Sequence, residues 1–194
     1  MCAPTSFTLR IITTLVLIVG LHAYSLAQFE VRSSTLTQAL PPAAAVGDFN
    51  RDGNLDVAVA TSSLQIFLGN GDGTFGSPTD YLSNTGVIFV TAADLNGDGK
   101  LDLAVSDFNG MYILLGNGDG TFQTTSPLPT LPCNPLFIGT GDFNGDKKLD
   151  LIVYGVGCSY FSIFLGNGDG TFQTTPINTT PPYGEPPGLG IGDF

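Results

Sequence analysis

The chain has 194 residues, enough for one domain with its own core, and a formal net charge of −11 at pH 7. Fifteen of its 17 acids are Asp, and Glu, the better helix former, occurs only as Glu30 and Glu185, while 26 Gly and 13 Pro favour turns and strands. Six basic residues against that acidity exclude a phosphate-reading surface for nucleic acid and a docking face for anionic lipid.

The first element is a leader. Arg10 precedes an apolar run from Ile11 to Leu21, and Ser25 and Ala27 place small residues at the −3 and −1 positions of a cleavage site. Eleven helical residues rise only about 16 Å against about 30 Å of hydrocarbon, so the run is a signal peptide (1–27) and not a spanning anchor. The mature chain is expected to start at Gln28 outside the reducing cytosol, with no stable membrane insertion. It contains no His, no Trp, and two cysteines, Cys133 and Cys158.

From there the chain repeats itself. Gly47-Asp48-Phe49-Asn50-Arg51-Asp52-Gly53-Asn54-Leu55-Asp56 recurs at 94–102 and 142–150, and Gly192-Asp193-Phe194 opens a further copy. A second motif, Leu-Gly-Asn-Gly-Asp-Gly-Thr-Phe, alternates with it at 68–75, 115–122 and 165–172. Short apolar runs flank these motifs. One enters the first motif (43–46, 88–93, 136–140), one leaves it (55–60, 101–106, 149–154), one enters the second (64–68, 111–115, 160–165), and a weaker one follows Phe75, Phe122 or Phe172. Lengths of four to seven rich in Val, Ile, Leu and Phe predict strands.

Four strands per unit at a period near fifty predict an all-β protein: a partial β-propeller of four-stranded antiparallel blades, three of them plus the start of a fourth. The predicted organisation is an N-terminal strand over 28–40, blades over 41–86, 87–134 and 135–184, and a beginning blade over 185–194. Phe29 stands as far before Asp48 as Phe75 before Asp94, so 28–40 occupies the place of a fourth strand and is a candidate to close the ring. Because rings need four to eight blades, the expectation is a parent with about seven, and self-association of this chain through exposed blade faces.

The first motif carries the chemistry. Asp-x-Asn-x-Asp-Gly-x-x-Asp places hard oxygens at alternate positions of a tight loop, as Ca²⁺ requires. The candidate side-chain ligands are Asp48, Asn50, Asp52 and Asp56; Asp94, Asn96, Asp98 and Asp102; and Asp142, Asn144, Asp146 and Asp150. The backbone carbonyls of Asn54, Lys100 and Lys148 complete the three sets, about one Ca²⁺ per blade. An EF-hand needs a Glu at position 12, where this chain has Val59, Val105 and Val153, and it needs flanking helices. Position 6 is Gly53, Gly99 or Lys147; if it is left-handed, the third loop is the weakest site and the second the tightest.

These repeats resemble the FG-GAP/VCBS family, the blades of the integrin α-subunit propeller and of many bacterial secreted proteins, over residues 41–194. The resemblance implies Ca²⁺ in the hairpin loop joining the first two strands of each blade, and roles in adhesion, ligand display or carbohydrate binding. Lys147 departs from the loop pattern, and the literal Phe-Gly and Gly-Ala-Pro signatures are absent, so integrin-like ligand recognition does not carry over.

The second motif reads as a tight hairpin, its Asn-Gly and Asp-Gly pairs supplying positive φ. Its Phe is expected to start the outer strand and to pack between blades. Cys133 and Cys158 fall in connections on the edge opposite the Ca²⁺ loops and form a candidate disulfide. Asn178-Thr179-Thr180 is a glycosylation sequon if the source glycosylates. With no His and no Gly-x-Ser-x-Gly elbow in the mature chain, and twelve acids committed to loops, the expectation is a non-catalytic, secreted Ca²⁺-binding module for an extracellular protein or glycan ligand. The alternatives are a lectin-type propeller and an accessory region of a larger secreted enzyme.

Overall fold

The computed structural model describes residues 43–125, 127–129, 131, 134–156 and 159–180. The leader expected at 1–27, the strand expected at 28–40, Cys133, Cys158 and the blade start expected at 185–194 lie outside the described residues.

Twelve strands form three four-stranded antiparallel sheets, each a meander in chain order. The first holds β1 (Ala44–Gly47), β2 (Asp56–Ala60), β3 (Leu64–Phe67) and β4 (Thr79–Tyr81). The second holds β5 (Val87–Ala93), β6 (Asp102–Asp107), β7 (Met111–Gly116) and β8 (Phe122–Thr124). The third holds β9 (Asn134–Gly141), β10 (Asp150–Val156), β11 (Phe161–Phe164) and β12 (Ile177–Thr179). No helix occurs among the described residues. β9 begins at Asn134, the last residue of the span predicted for the second blade.

Register follows from the motifs. Gly47 pairs with Asp56, Ala93 with Asp102 and Gly141 with Asp150, so each first motif is the loop of the hairpin between a sheet's first two strands. The Leu opening each predicted second run sits one residue before its strand, and the Leu55, Leu101 and Leu149 carbonyls lie against Gly69, Gly116 and Gly166. A Cβ at any of these glycines would overlap that carbonyl, which is why the second motif starts Leu-Gly.

The predicted fourth strand needs one revision. Only in the second sheet does it begin at the Phe; Phe75 and Phe172 make isolated bridges to Gly69 and Gly166, and β4 and β12 begin further on.

The core lies between sheets, not within a barrel. One buried cluster joins Phe49, Leu64 and Ile66 of the first sheet to Val90, Leu103, Val105 and Phe122 of the second. Another joins Leu95, Met111 and Ile113 of the second to Ile138, Leu151, Phe164 and Phe172 of the third. Central strands apolar on both faces, such as the fully buried β6, result from this stacking. Phe122 anchors the first junction: it meets Phe49 edge-on at 5.6 Å and Tyr81 at 5.8 Å, and its N–H donates to the Tyr81 hydroxyl at 3.0 Å.

Candidate functional site

Each first-motif loop is wound around its own side chains. In the first, Asp48 accepts the N–H groups of Asp52 (3.1 Å) and Gly53 (2.9 Å), Asn50 Oδ1 accepts that of Asp52, and Asp52 Oδ1 accepts that of Asn54. The second repeats this with Asp94 accepting from Gly97, Asp98 and Gly99, and Asp98 from Lys100. The third repeats it with Asp142 accepting from Gly145, Asp146 and Lys147, and Asp146 from Lys148. Positions 1, 3 and 5 are thus held in place by main-chain donors, as Asx turns are.

Position 9 is placed differently. Asp56, Asp102 and Asp150 are fully buried. Asp56 Oδ2 accepts the Phe49 N–H at 2.8 Å from the first loop, while Oδ1 accepts the Gly69 N–H at 2.8 Å from the second motif. Asp102 joins Leu95 to Gly116 in the same way, and Asp150 joins Phe143 to Gly166. One buried carboxylate therefore ties the two motifs of each blade together, a link that spacing alone did not reveal. Its one sequence signal is that the Asp and the Leu-Gly always occur as a pair.

This arrangement bears on the fit of a cation. Among the described residues, no group of three or more His, Cys, Asp or Glu side chains is gathered for a metal. Each loop instead offers a mixed oxygen set: a position-1 carboxylate that is half-buried in the first two loops and exposed in the third, an exposed position-5 carboxylate, an amide between them, a main-chain carbonyl at position 7, and the buried position-9 carboxylate, each of whose engaged oxygens in the second and third loops accepts one N–H. All are hard oxygens, the donor chemistry Ca²⁺ prefers, and a carboxylate oxygen that accepts one N–H keeps a second lone pair.

The charge state suits a cation. The Asn54 N–H holds the Asp52 carboxyl below its ordinary range, the Lys100 side chain does so for Asp98, and the Lys147 N–H for Asp142. Burial pushes Asp102 upward, opposed by the Gly116 and Leu95 N–H groups. In the second motif the Thr hydroxyl two residues on lowers Asp72, Asp119 and Asp169. That loop is closed on itself: Asn117 donates to the Thr121 hydroxyl, which donates to Asp119. The bonding is that of a self-closed turn.

Acid should act with two signs on Ca²⁺-free protein. The lowered loop carboxyls contribute stability above the ordinary carboxylate pKa of about 4, lost as pH falls through their folded values. The raised Asp102 contributes in the opposite sense, its stability present at low pH and lost as pH rises through its folded value. Urea melts between pH 3 and 6 should show net loss on acidification, and an Asp102→Asn variant should show a steeper one.

Position 6 is left-handed in all three loops, with φ of 86° at Gly53, 78° at Gly99 and 66° at Lys147. Position 4 is left-handed too: Arg51 at 61°, Gly97 at 74° and Gly145 at 78°. The expected ranking changes accordingly. The second loop alone has Gly at both positions, whereas the first and third each hold one strained non-Gly residue, so strain does not make the third weaker than the first. Arg51→Gly and Lys147→Gly should each stabilise the Ca²⁺-free chain by about 0.5–1 kcal/mol, the left-handed penalty less glycine's added chain entropy. Gly99→Ala should destabilise it by about 1 kcal/mol. Chemical denaturation of the three variants checks both.

Three stacked four-stranded sheets, each with an acidic loop in its first hairpin, define a β-propeller-type repeat protein. A family model described as FG-GAP-like repeat matches residues 48–105, 94–153 and 142–194, and the chain belongs to that family. No curated protein sequence matches significantly. Among solved structures, the chain is similar to a lectin from Agrocybe aegerita that specifically recognises non-reducing terminal N-acetylglucosamine. Identity is 24%, the TM-score is 0.54, and the match covers 72% of this chain and 38% of the lectin, so the likeness is one of fold.

Proposed function

We propose that this chain is a secreted, Ca²⁺-binding and non-catalytic propeller module that presents a surface to an extracellular protein or cell-surface ligand. The observation that carries the reading is the recurrence of one loop, with the same Asx-turn bonding, at the same hairpin of all three sheets. Three copies of a costly concentration of negative charge make sense when a divalent cation offsets it. Asp48, Asn50, Asp52 and Asp56 would hold the ion in the first loop, their counterparts at 94, 96, 98, 102 and 142, 144, 146, 150 in the others, with the carbonyls of Asn54, Lys100 and Lys148. Secretion rests on the 1–27 leader.

Calorimetric titration of the purified chain should count three Ca²⁺ per molecule. An Asp94→Ala, Asp98→Ala variant should count two, and an unchanged stoichiometry would refute the assignment.

A second reading, carbohydrate binding, is favoured by one feature. A cleft of about 320 Å³ opens between the second and third sheets, lined by Ile113, Leu128, Thr171 and Phe172 among others, and one solved structure of like fold is a lectin. Retention on a glycan array would support it. An array with no retained glycan, at saturating Ca²⁺, leaves the protein-ligand reading.

A further inference from the structure

The two junctions between sheets share one plan. At the first, Leu68 lies over Gly120, Leu101 lies over Gly47, and the Gly120 N–H donates to the Phe49 carbonyl at 3.1 Å. At the second, Leu115 lies over Gly170, while Leu149 and Phe172 pack in one cluster with Ala93 and Leu95. Each sheet therefore has an outgoing face, built on the residue before the first Asp, the residue after it, and the Leu that opens the second motif. Each also has an incoming face, built on the Leu before position 9 and the second Gly of Gly-Asp-Gly.

Both kinds of face recur on the two outer sheets of the described stack. The third sheet carries the residues of the outgoing face at Gly141, Phe143 and the half-buried Leu165. Phe143 is 40% exposed where its counterparts Phe49 and Leu95 are 2% exposed. The first sheet presents Leu55, 66% exposed, beside a cleft of about 580 Å³ that also includes Gly73. A Cβ at Gly120 or Gly170 would overlap the Leu of the preceding sheet, whereas one at Gly73 meets nothing within 4 Å. The unfilled socket and the unused knob are thus complementary, and one chain carries both.

We propose that the third sheet of one copy of this chain docks on the first sheet of another, head to tail, with Leu165 seated over Gly73 and Leu55 over Gly141. The contact is heterologous and continues the stacking already built twice inside the chain. Two copies bring six of the described sheets together, a number within the range of four to eight at which propellers close. The contact does not depend on the ligand reading above.

The test is sedimentation velocity on the full chain at micromolar concentrations. Wild-type protein should sediment faster than a monomer. Leu55→Asp and Leu165→Asp should each associate about a hundredfold more weakly, since each puts a charge in a contact that buries a leucine. An equimolar mixture of the two should pair again, because the Leu55→Asp copy keeps an intact third sheet and the Leu165→Asp copy an intact first sheet. Wild-type monomer, loss of association with only one of the variants, or failure of the mixture to pair each overturns the proposal. Hydrogen exchange on wild-type protein needs no variant: protection around Leu55 and Gly73 and around Phe143 and Leu165 should rise with concentration. Protection independent of concentration would mean that the chain covers its own faces and would likewise overturn it.

Discussion

Calcium added to the chelated chain is expected to raise its unfolding free energy by about 4–8 kcal/mol. The estimate takes three loops with dissociation constants near 10⁻⁴–10⁻³ M, the extracellular range, and free Ca²⁺ of about 10 mM. Each site then contributes roughly 1.4–2.7 kcal/mol through mass action. For a domain of this size the melting temperature should rise by on the order of 10–25 °C. Differential scanning fluorimetry in chelator and in Ca²⁺ measures it directly. Mg²⁺ at the same concentration should shift the melt much less, because it demands a tight octahedron that a loop of mixed side-chain and carbonyl oxygens does not impose. Equal melts in chelator and Ca²⁺ would remove calcium from the account of this fold.

The second large effect is expected at Asp102, without any metal. Asp102→Ala in chelator should destabilise the chain by about 3–5 kcal/mol, because it leaves the buried N–H groups of Leu95 and Gly116 unpaired. That is a large share of the roughly 5–15 kcal/mol by which ordinary domains are stable. Asp98→Ala in the same loop removes an exposed carboxylate and should leave the chelated melt nearly unchanged while weakening Ca²⁺ binding. Urea denaturation of both variants, with and without Ca²⁺, separates anchoring from cation binding. If Asp98 and Asp102 behave alike in chelator, the anchoring role assigned to position 9 is wrong.

Much of this molecule was legible from its repeats. The period near fifty, with runs of four to seven apolar residues, predicted three four-stranded sheets and the placement of each acidic loop in the first hairpin, since those features are set locally by turn chemistry and strand patterning. The connection from Asp56 to Gly69 was not legible. It spans a whole hairpin, and an Asp in a metal-loop pattern is chemically the same residue whether it serves a cation or a backbone. The second left-handed position was missed for a related reason. Arg51, where the other loops have Gly97 and Gly145, reads as an ordinary loop substitution until its φ is known. The fourth strand was placed too early in two sheets because Phe75 and Phe172 carry the apolar signal, while β4 and β12 are polar edge strands.

The pinning of both motifs to one carboxylate has a consequence for how such chains diverge. Asp56 lies 13 residues from Gly69, Asp102 lies 14 from Gly116, and Asp150 lies 16 from Gly166, yet all three make the same bond at 2.8 Å. In the first two sheets the register runs unbroken to Ala60–Leu64 and to Ser106–Met111, so the extra residue is accommodated at the far hairpin, where the described residues share no common anchor. One rim of the stack is therefore copied faithfully from unit to unit while the other is free to lengthen. New surface can be acquired there by insertion without disturbing the clasp that makes each unit fold.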